Sequence, residues 1–138
     1  MRRAPAMQWV CASGVLAAAQ SAAQTFAREH GLAVELRHLA DGAALLDASV
    51  DCETQWRRGL RPRVDSPLER WIASAPGPVL CITDGERAQA EALRAFVPAG
   101  HAYLGLWGDE ARQPEAIAQA AWQLVQAGAE RWLTLAVD

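Results

Sequence analysis

The stretch GPVLCITDGERAQAEALRAFVP, from Gly77 to Pro98, indicates the fold of this chain more clearly than any other segment. Residues 79–82 form a continuous apolar run, which is typical of a strand covered on both faces of a parallel sheet. A polar turn at residues 83–85 leads into a segment with helical periodicity, which a proline closes. Units of this kind often end at a binding site, because open parallel sheets place ligands at the carboxyl ends of their strands.

Strand and helix patterns alternate along the rest of the chain in the same way. Short apolar or alternating runs predict strands, and longer runs with apolar residues at helical spacing predict helices. The segment 43–67 is broken by prolines, and we predict only a short helical patch at its start. The predicted strands cover 7–12, 32–39, 79–82, 101–106 and 131–137, and the predicted helices cover 15–30, 67–74, 86–97 and 115–127.

This alternation predicts a single α/β domain over residues 1–138. We expect three α/β/α layers built around a mostly parallel sheet of about five strands, with helices on both faces. Hydrophobic residues make up 51% of the chain, which suffices for a core that needs neither metals nor disulfides.

The charge and hydropathy of the chain exclude two classes of partner. The formal net charge is −3 and the 13 cationic residues are scattered, so no basic surface is expected to attract nucleic acid. No apolar run approaches the roughly 20 residues of a membrane span. Gln8, Ser13 and Gly14 interrupt the apolar N-terminal segment, which therefore resembles a helix more than a signal peptide. We expect a cytoplasmic protein that binds neither nucleic acid nor a membrane.

Missing residue types restrict the chemistry further. The chain has no lysine and no asparagine, which excludes a lysine Schiff base and a Walker-type phosphate loop. Cys11, Cys52 and Cys81 form no CxxC pair, and no histidine stands at ligand spacing from them. We therefore predict that the three cysteines pack as small hydrophobic residues and that the chain has no metal site.

Seven short motifs, taken in chain order, resemble one known domain. They are ASG at 12–14, DCE at 51–53, the tryptophan at 56, LRP at 60–62, GPVLCITD at 77–84, LRAFVP at 93–98 and YLG at 103–105. Together they resemble the C-terminal, transketolase-like domain of the homodimeric pyruvate dehydrogenase decarboxylating component. The resemblance extends from about Met7 to Gly128.

The resemblance implies association more than catalysis. In that family thiamine diphosphate and its metal are held by the two preceding domains, and the C-terminal domain packs against them and helps to form the dimer. The family's diphosphate motif requires asparagines, which this chain lacks. We therefore expect no cofactor on this chain alone, with thiamine diphosphate and Mg on partner chains. The expected assembly is a homodimer or a complex with thiamine-diphosphate-binding partner subunits.

Two departures from the family pattern argue against catalytic residues. Arg61 stands where the family has a histidine, and an arginine side chain stays protonated near neutral pH and cannot shuttle protons. It can still bind a carboxylate or a phosphate. Leu106 and Trp107 replace a threonine and an aspartate, which makes a polar loop apolar. We predict a non-catalytic association module, such as the small subunit of a split pyruvate-dehydrogenase- or transketolase-like enzyme.

The alternative is a module that binds a small anionic metabolite at the carboxyl edge of the sheet with help from Arg61. Asp84 fits the role of helix cap better than that of ligand group. Ser13 can be interpreted as a nucleophile, but no histidine is expected near it and no G-x-S-x-G motif surrounds it, so we predict that it also caps a helix. Trp56 and Trp107 are candidates for an exposed patch that contacts a partner, although either ring can instead cover the domain's own surface. The candidate ligand or partner contacts are Ser13, Gly14, Trp56, Arg61, Thr83, Asp84 and Trp107.

Overall fold

A computed structural model of the chain describes residues 5–40 and 42–137, and side chains as far as residue 128. Its centre is a four-stranded sheet in which every pair of neighbouring strands is parallel. The strand order is β2-β1-β3-β4, so the first strand lies inside the sheet. The strands are β1 (Met7–Cys11), β2 (Val34–His38), β3 (Val79–Ile82) and β4 (Tyr103–Leu106).

Helices connect these strands in the expected alternation. Short 3-10 turns occupy Ser13–Val15, Arg94–Phe96 and Gly108–Arg112. The α-helices are α1 (Leu16–His30), α2 (Gly42–Arg57), α3 (Pro67–Ala73), α4 (Arg87–Glu91) and α5 (Pro114–Val137). None of the helices within the described residues is long and apolar enough to cross a membrane.

Two apolar cores lie on opposite faces of the sheet. Trp9 points into one core, where Phe26 of α1 and Ile117 of α5 are also buried. Val10, its neighbour in β1, points into the other core with Ile72 of α3 and Phe96. This alternation follows from the two-residue period of a strand. The predicted three-layer α/β/α architecture with a parallel sheet is therefore confirmed.

The predicted fifth strand at 131–137 was wrong, because these residues belong to α5. We also expected Gly128 to follow the end of the last helix, but α5 continues through it. A glycine inside a helix costs only about 1 kcal/mol relative to alanine, which its helix-forming neighbours can offset. The short apolar run alone could not distinguish a strand from a helix.

The prediction of an irregular segment from 43 to 67 was also wrong over its first half. Helix α2 occupies Gly42–Arg57, and no glycine or proline interrupts the sequence between residues 43 and 58. Leu45 and Leu46 pack against the second core, so the helix is anchored along one side. Conversely, the predicted helix over 86–97 is shorter, because α4 ends at Glu91 and a 3-10 turn follows.

The sheet topology defines one distinctive edge. From β1 the chain passes to β2 on one side, and it later returns to place β3 on the other side of β1. The connection that leaves β1 leads toward β2, and the connection that leaves β3 leads toward β4 in the opposite direction. This divergence opens a crevice outside the carboxyl ends of β1 and β3. In open α/β sheets this crevice is where ligands bind.

Candidate functional site

A cavity of about 520 Å³ lies at this crevice. Its wall comes from the carboxyl ends of β1 and β3, the first turn of α2, α4 and the residues just after α4. Leu39, Leu46 and Leu93 make much of the wall apolar, while Ser13, Thr83 and Gln89 provide polar groups. No charged side chain lines the cavity among the residues that the structure describes.

Ser13 and His38 form a hydrogen-bonded pair at this edge. Ser13 Oγ lies 2.7 Å from His38 Nε2, and both side chains are exposed. The pairing of β1 with β2 brings them together, because Cys11 is opposite His38 in the parallel register. The Leu39 amide also donates to the Cys11 carbonyl over 3.1 Å, which extends that register beyond the strands. A serine two residues after Cys11 is therefore within reach of the imidazole.

Thr83 and Asp84 follow β3 at the same edge. The Thr83 hydroxyl accepts a hydrogen bond from the Gly85 amide at 3.1 Å, which closes the turn. The Asp84 carboxylate lies against Gly14, where an added Cβ would stand 2.5 Å from Oδ2. Glycine at position 14 therefore permits this close approach. Asp84 Oδ2 also lies 3.4 Å from a guanidinium nitrogen of Arg112.

Both predicted capping roles were wrong. Ser13 belongs to a 3-10 turn ahead of α1, Val15 occupies the N-cap position of α1, and no side chain caps that helix. Asp84 lies too early to cap α4, whose N-cap residue is Glu86, and the Glu86 amide donates to Gln89 Oε1 at 3.0 Å. Helix α4 begins at Arg87, one residue later than predicted, and the Asp84 carboxylate faces Gly14 and Arg112 instead of the helix amides.

Two buried thiols adjoin the cavity and are poor nucleophiles. Burial raises the pKa of Cys11 to about 12, and the nearby Cys81 thiol contributes in the same direction. Burial likewise raises the pKa of Cys81 to about 11. Both groups are therefore neutral thiols at physiological pH, and only a thiolate is strongly nucleophilic. The prediction that these cysteines pack as small apolar residues is confirmed by their burial in β1 and β3.

The structure places the other three candidate residues away from this cavity. Trp56 is 47% exposed at the end of α2, with the Arg63 guanidinium 5.7 Å from its ring centre. Arg61 is exposed in the segment between α2 and α3 and does not line the cavity. Trp107 is 39% exposed after β4, with Arg87 over its ring. The candidates therefore divide into one cluster of Ser13, Gly14, Thr83 and Asp84 and two separate surfaces.

Across residues 5–40 and 42–128, whose side chains the structure describes, no three side chains of histidine, cysteine, aspartate or glutamate come together as metal ligands would. The cavity instead offers an apolar wall with a hydroxyl–imidazole pair at its rim. Such a site suits an organic molecule with an apolar body and one or two polar groups.

His38 is the residue of this site that sequence reasoning missed. It was visible as the penultimate residue of a predicted strand, but its neighbour in the sheet depended on an unknown strand order. If β2 is known to lie beside β1, the parallel alignment of the two strands places His38, at the end of β2, next to the residues that follow β1.

Comparisons with known proteins yield no relative. No protein-family model matches the chain, and no curated protein or solved structure shows significant similarity to it.

Proposed function

We propose that this chain is a binding module for a small organic molecule, which it holds at the carboxyl edge of its sheet. The observation that carries the proposal is the cavity of about 520 Å³ outside the ends of β1 and β3. Its size lies in the range of roughly 300–1,000 Å³ that is typical of ligand sites. Its position is the one that open α/β sheets use for ligands.

The lining argues for a mainly apolar ligand and against a strongly anionic one. Leucines and alanines dominate the described wall, and its hydrogen-bonding groups are neutral hydroxyl and amide side chains. Arg61, which the alternative hypothesis assigned to anion binding, is not part of that wall. A charged ligand would lose its hydration in such a site without gaining a compensating cation. We therefore propose a ligand with a hydrocarbon or aryl body and a carbonyl or hydroxyl group.

A thermal-shift screen of short-chain and aryl ketones, alcohols, amides and carboxylates tests this proposal. We expect the neutral compounds to raise the melting temperature, and Ala43→Phe to abolish that shift because Ala43 lines the cavity. Ala48→Phe is the matched control, since Ala48 is an exposed residue of the same helix that does not line the cavity. Equal shifts in both variants, or no shift with any compound, would contradict a ligand site here.

A second function, association, is favoured by a separate observation. Three large apolar side chains, which we call the Trp56 surface, are exposed at the end of α2 and in the segment after it: Trp56, Leu60 and Val64. Their exposed fractions lie between 47% and 69%. Nearby arginines, including Arg57 and Arg61, are also exposed, and tryptophan with arginine is a frequent combination at protein interfaces.

For this surface we propose self-association or docking onto thiamine-diphosphate-binding partner subunits, as the resemblance to the transketolase-like domain implies. Several of the motifs that carry the resemblance lie on or beside it, including residues 51–53 and 60–62. Light scattering after size exclusion measures self-association directly. We expect a dimer that Trp56→Ser converts to a monomer, with Val50→Ser as the control for loss of an exposed apolar side chain of the same helix. A wild-type monomer that also co-purifies with no thiamine-diphosphate-binding subunit would contradict this second function.

We further propose a cytoplasmic location. Cys11, Cys52 and Cys81 are all free thiols, which suits a reducing compartment. Fractionation of cells that express the tagged chain should recover it with cytoplasmic markers, and its recovery with secreted or periplasmic markers would contradict the location.

A further inference from the structure

We propose that Ser13 and His38 form a nucleophile–base pair that cleaves activated acyl esters bound in the cavity. This inference rests on the proposed ligand site, because the cavity must hold the acyl group of the substrate. The observation behind it is that the serine at the cavity's rim is hydrogen-bonded to a histidine at 2.7 Å. A serine hydroxyl is a weak nucleophile unless an adjacent base removes its proton, and imidazole is the usual base.

The geometry of the pair suits proton transfer. When Nδ1 of His38 carries the ring proton, Nε2 has a free lone pair and accepts the Ser13 Oγ–H at 2.7 Å. His38 is the last residue of β2 and Ser13 lies two residues after the end of β1, and the sheet fixes the register of these strands with Cys11 opposite His38. The pair is therefore held by rigid elements, which favours a constant distance between the two atoms.

The placement of the pair also gives the substrate separate routes for its two halves. Ser13 lines the cavity, so an acyl group can lie against the apolar wall formed by Leu39, Leu46 and Leu93. His38 and Ser13 are exposed on their other side, which gives a leaving group and the hydrolytic water direct access to solvent. The neutral wall favours aryl or short aliphatic acyl groups over charged ones.

The reaction balances without a further reactant besides water. Oγ of Ser13 attacks the ester carbonyl carbon while its proton passes to Nε2 of His38. The carbon–oxygen bond to the alcohol breaks, and the imidazolium returns the proton to that alcohol. Water then attacks the acyl-serine, with His38 accepting the proton of the water and returning it to Oγ, which releases the carboxylic acid and the free serine.

Among the residues that the structure describes, no carboxylate is a partner of His38, and this sets the scope of the activity. Within the described part of the chain, Asp84 pairs with Arg112, and no carboxylate hydrogen-bonds to the imidazole. Loss of the orienting acid slows a catalytic triad by about 10⁴-fold. The pair is therefore suited to esters with good leaving groups, such as aryl esters and thioesters, and to slow turnover.

A fluorophosphonate probe and p-nitrophenyl butyrate test the pair on the intact chain. We expect mass spectrometry to find the probe on Ser13, and a burst of one p-nitrophenolate per chain to precede slower turnover. Ser13→Ala should abolish labelling and burst, and His38→Gln should slow both by at least about 10²-fold, as loss of a general base does. Ser21→Ala and His101→Gln are the controls, because Ser21 is an exposed serine of α1 and the His101 ring binds the Gly77 carbonyl.

The outcomes separate this inference from the proposed ligand site. If ketones and alcohols still stabilise the protein through the cavity, but the probe labels no residue or labels one other than Ser13, the pair is not a nucleophile and the ligand site stands. If Ser13 is labelled through His38 but Ala43→Phe changes neither labelling nor butyrate hydrolysis, the pair is active and the cavity is not its acyl site. Equal rates in the wild type and Ser13→Ala overturn the inference outright. Melting curves of each variant establish that it is folded.

Discussion

At the scale of single residues, Gly77 shows how one backbone conformation constrains the sequence. Its φ is 80°, in the region that side chains with a Cβ rarely adopt. An added Cβ would also lie only 2.4 Å from the carbonyl oxygen of Ala6, which is backbone and cannot move aside cheaply. Glycine at this position therefore allows the segment before β3 to pass close to the start of β1.

We predict that Gly77→Ala lowers the free energy of unfolding by at least about 1 kcal/mol more than Gly100→Ala. Gly100 has a φ of 89° but no atom within 4 Å of the point where a Cβ would stand, so the control carries the conformational cost without the clash. Urea denaturation followed by tryptophan fluorescence measures both variants. Equal losses would mean that the contact with Ala6 contributes nothing.

The cysteines give a second prediction at this scale, on reactivity. Because burial raises the pKa of Cys11 to about 12 and that of Cys81 to about 11, both remain protonated at pH 8 and unreactive toward alkylating agents. Cys52 is partly exposed on α2. We expect iodoacetamide at pH 8 to modify Cys52 alone in the folded protein and all three cysteines in denaturant. Rapid native modification of Cys81, read by peptide mass spectrometry, would show that β3 is accessible to solvent.

Sequence reasoning identified most residues of the sheet-edge cluster, but it assigned Ser13 and Asp84 capping roles that the structure contradicts. Ser13, Gly14, Thr83 and Asp84 were candidates because they follow predicted strands, and the structure brings them to one edge. Their partners, His38 and Arg112, are 25 and 28 residues distant along the chain. Local patterns carry no information about such pairs, because strand order and register decide which side chains meet.

At the scale of secondary-structure elements, α3 illustrates how local signals fix a helix start. Pro67 occupies its first turn, and Ser66 with Glu69 forms a reciprocal capping box. The Glu69 amide donates to Ser66 Oγ at 3.2 Å, and the Ser66 amide donates to Glu69 Oε1 at 3.2 Å. These contacts are local in sequence, which is why the start of this helix was predicted correctly.

We predict that Ser66→Ala lowers the free energy of unfolding by about 1 kcal/mol, the usual cost of losing an N-cap side chain. Ser21→Ala provides the comparison, because Ser21 is an exposed residue inside α1 and alanine is the better helix former there. Thermal and urea unfolding should therefore show a loss of stability for Ser66→Ala and none for Ser21→Ala. An unchanged free energy of unfolding in Ser66→Ala would show that the capping box does not stabilise α3.

The continuity of α5 through Gly128 yields another prediction. Gly128 is helical and has no atom within 4 Å of an added Cβ, so alanine should fit. We expect Gly128→Ala to raise the free energy of unfolding by roughly 0.5–1 kcal/mol. Gly59 is equally open but has a φ of 73°, so Gly59→Ala should be destabilising instead. Destabilisation by Gly128→Ala, with lower helicity in circular dichroism, would indicate that the helix ends at this glycine.

Helix α2 shows why some elements escaped prediction. Its inward side is marked by Leu45, Leu46 and Ser49, and alanines together with polar or charged residues make up most of its remaining length. Ser49 is buried because its hydroxyl donates to the Leu45 carbonyl and accepts from the Leu68 amide. A buried polar residue whose hydrogen bonds are partly made by a neighbouring helix looks like a surface residue in the sequence. The apolar periodicity was therefore too weak to reveal the helix.

At the scale of the whole molecule, the alternation of strands and helices was sufficient to predict the layered parallel sheet. The continuous apolar run in β3 marked it as a strand buried on both faces, the largely apolar run in β1 marked it as a strand, and the structure buries every residue of both. The cavity could not be predicted in the same way. It results from the order β2-β1-β3-β4, which places two strand ends beside each other although the strands are far apart in sequence.

The central claim is that the carboxyl edge of this sheet is a ligand site. Titration of the ¹⁵N-labelled protein with short-chain and aryl ketones, followed by amide chemical shifts, tests it most directly. We predict saturable shifts at the ends of β1 and β3 and in the first turn of α2, which form the cavity wall, and their loss in Ala43→Phe. Shifts confined to the Trp56 surface, or none at millimolar ligand, would contradict the claim.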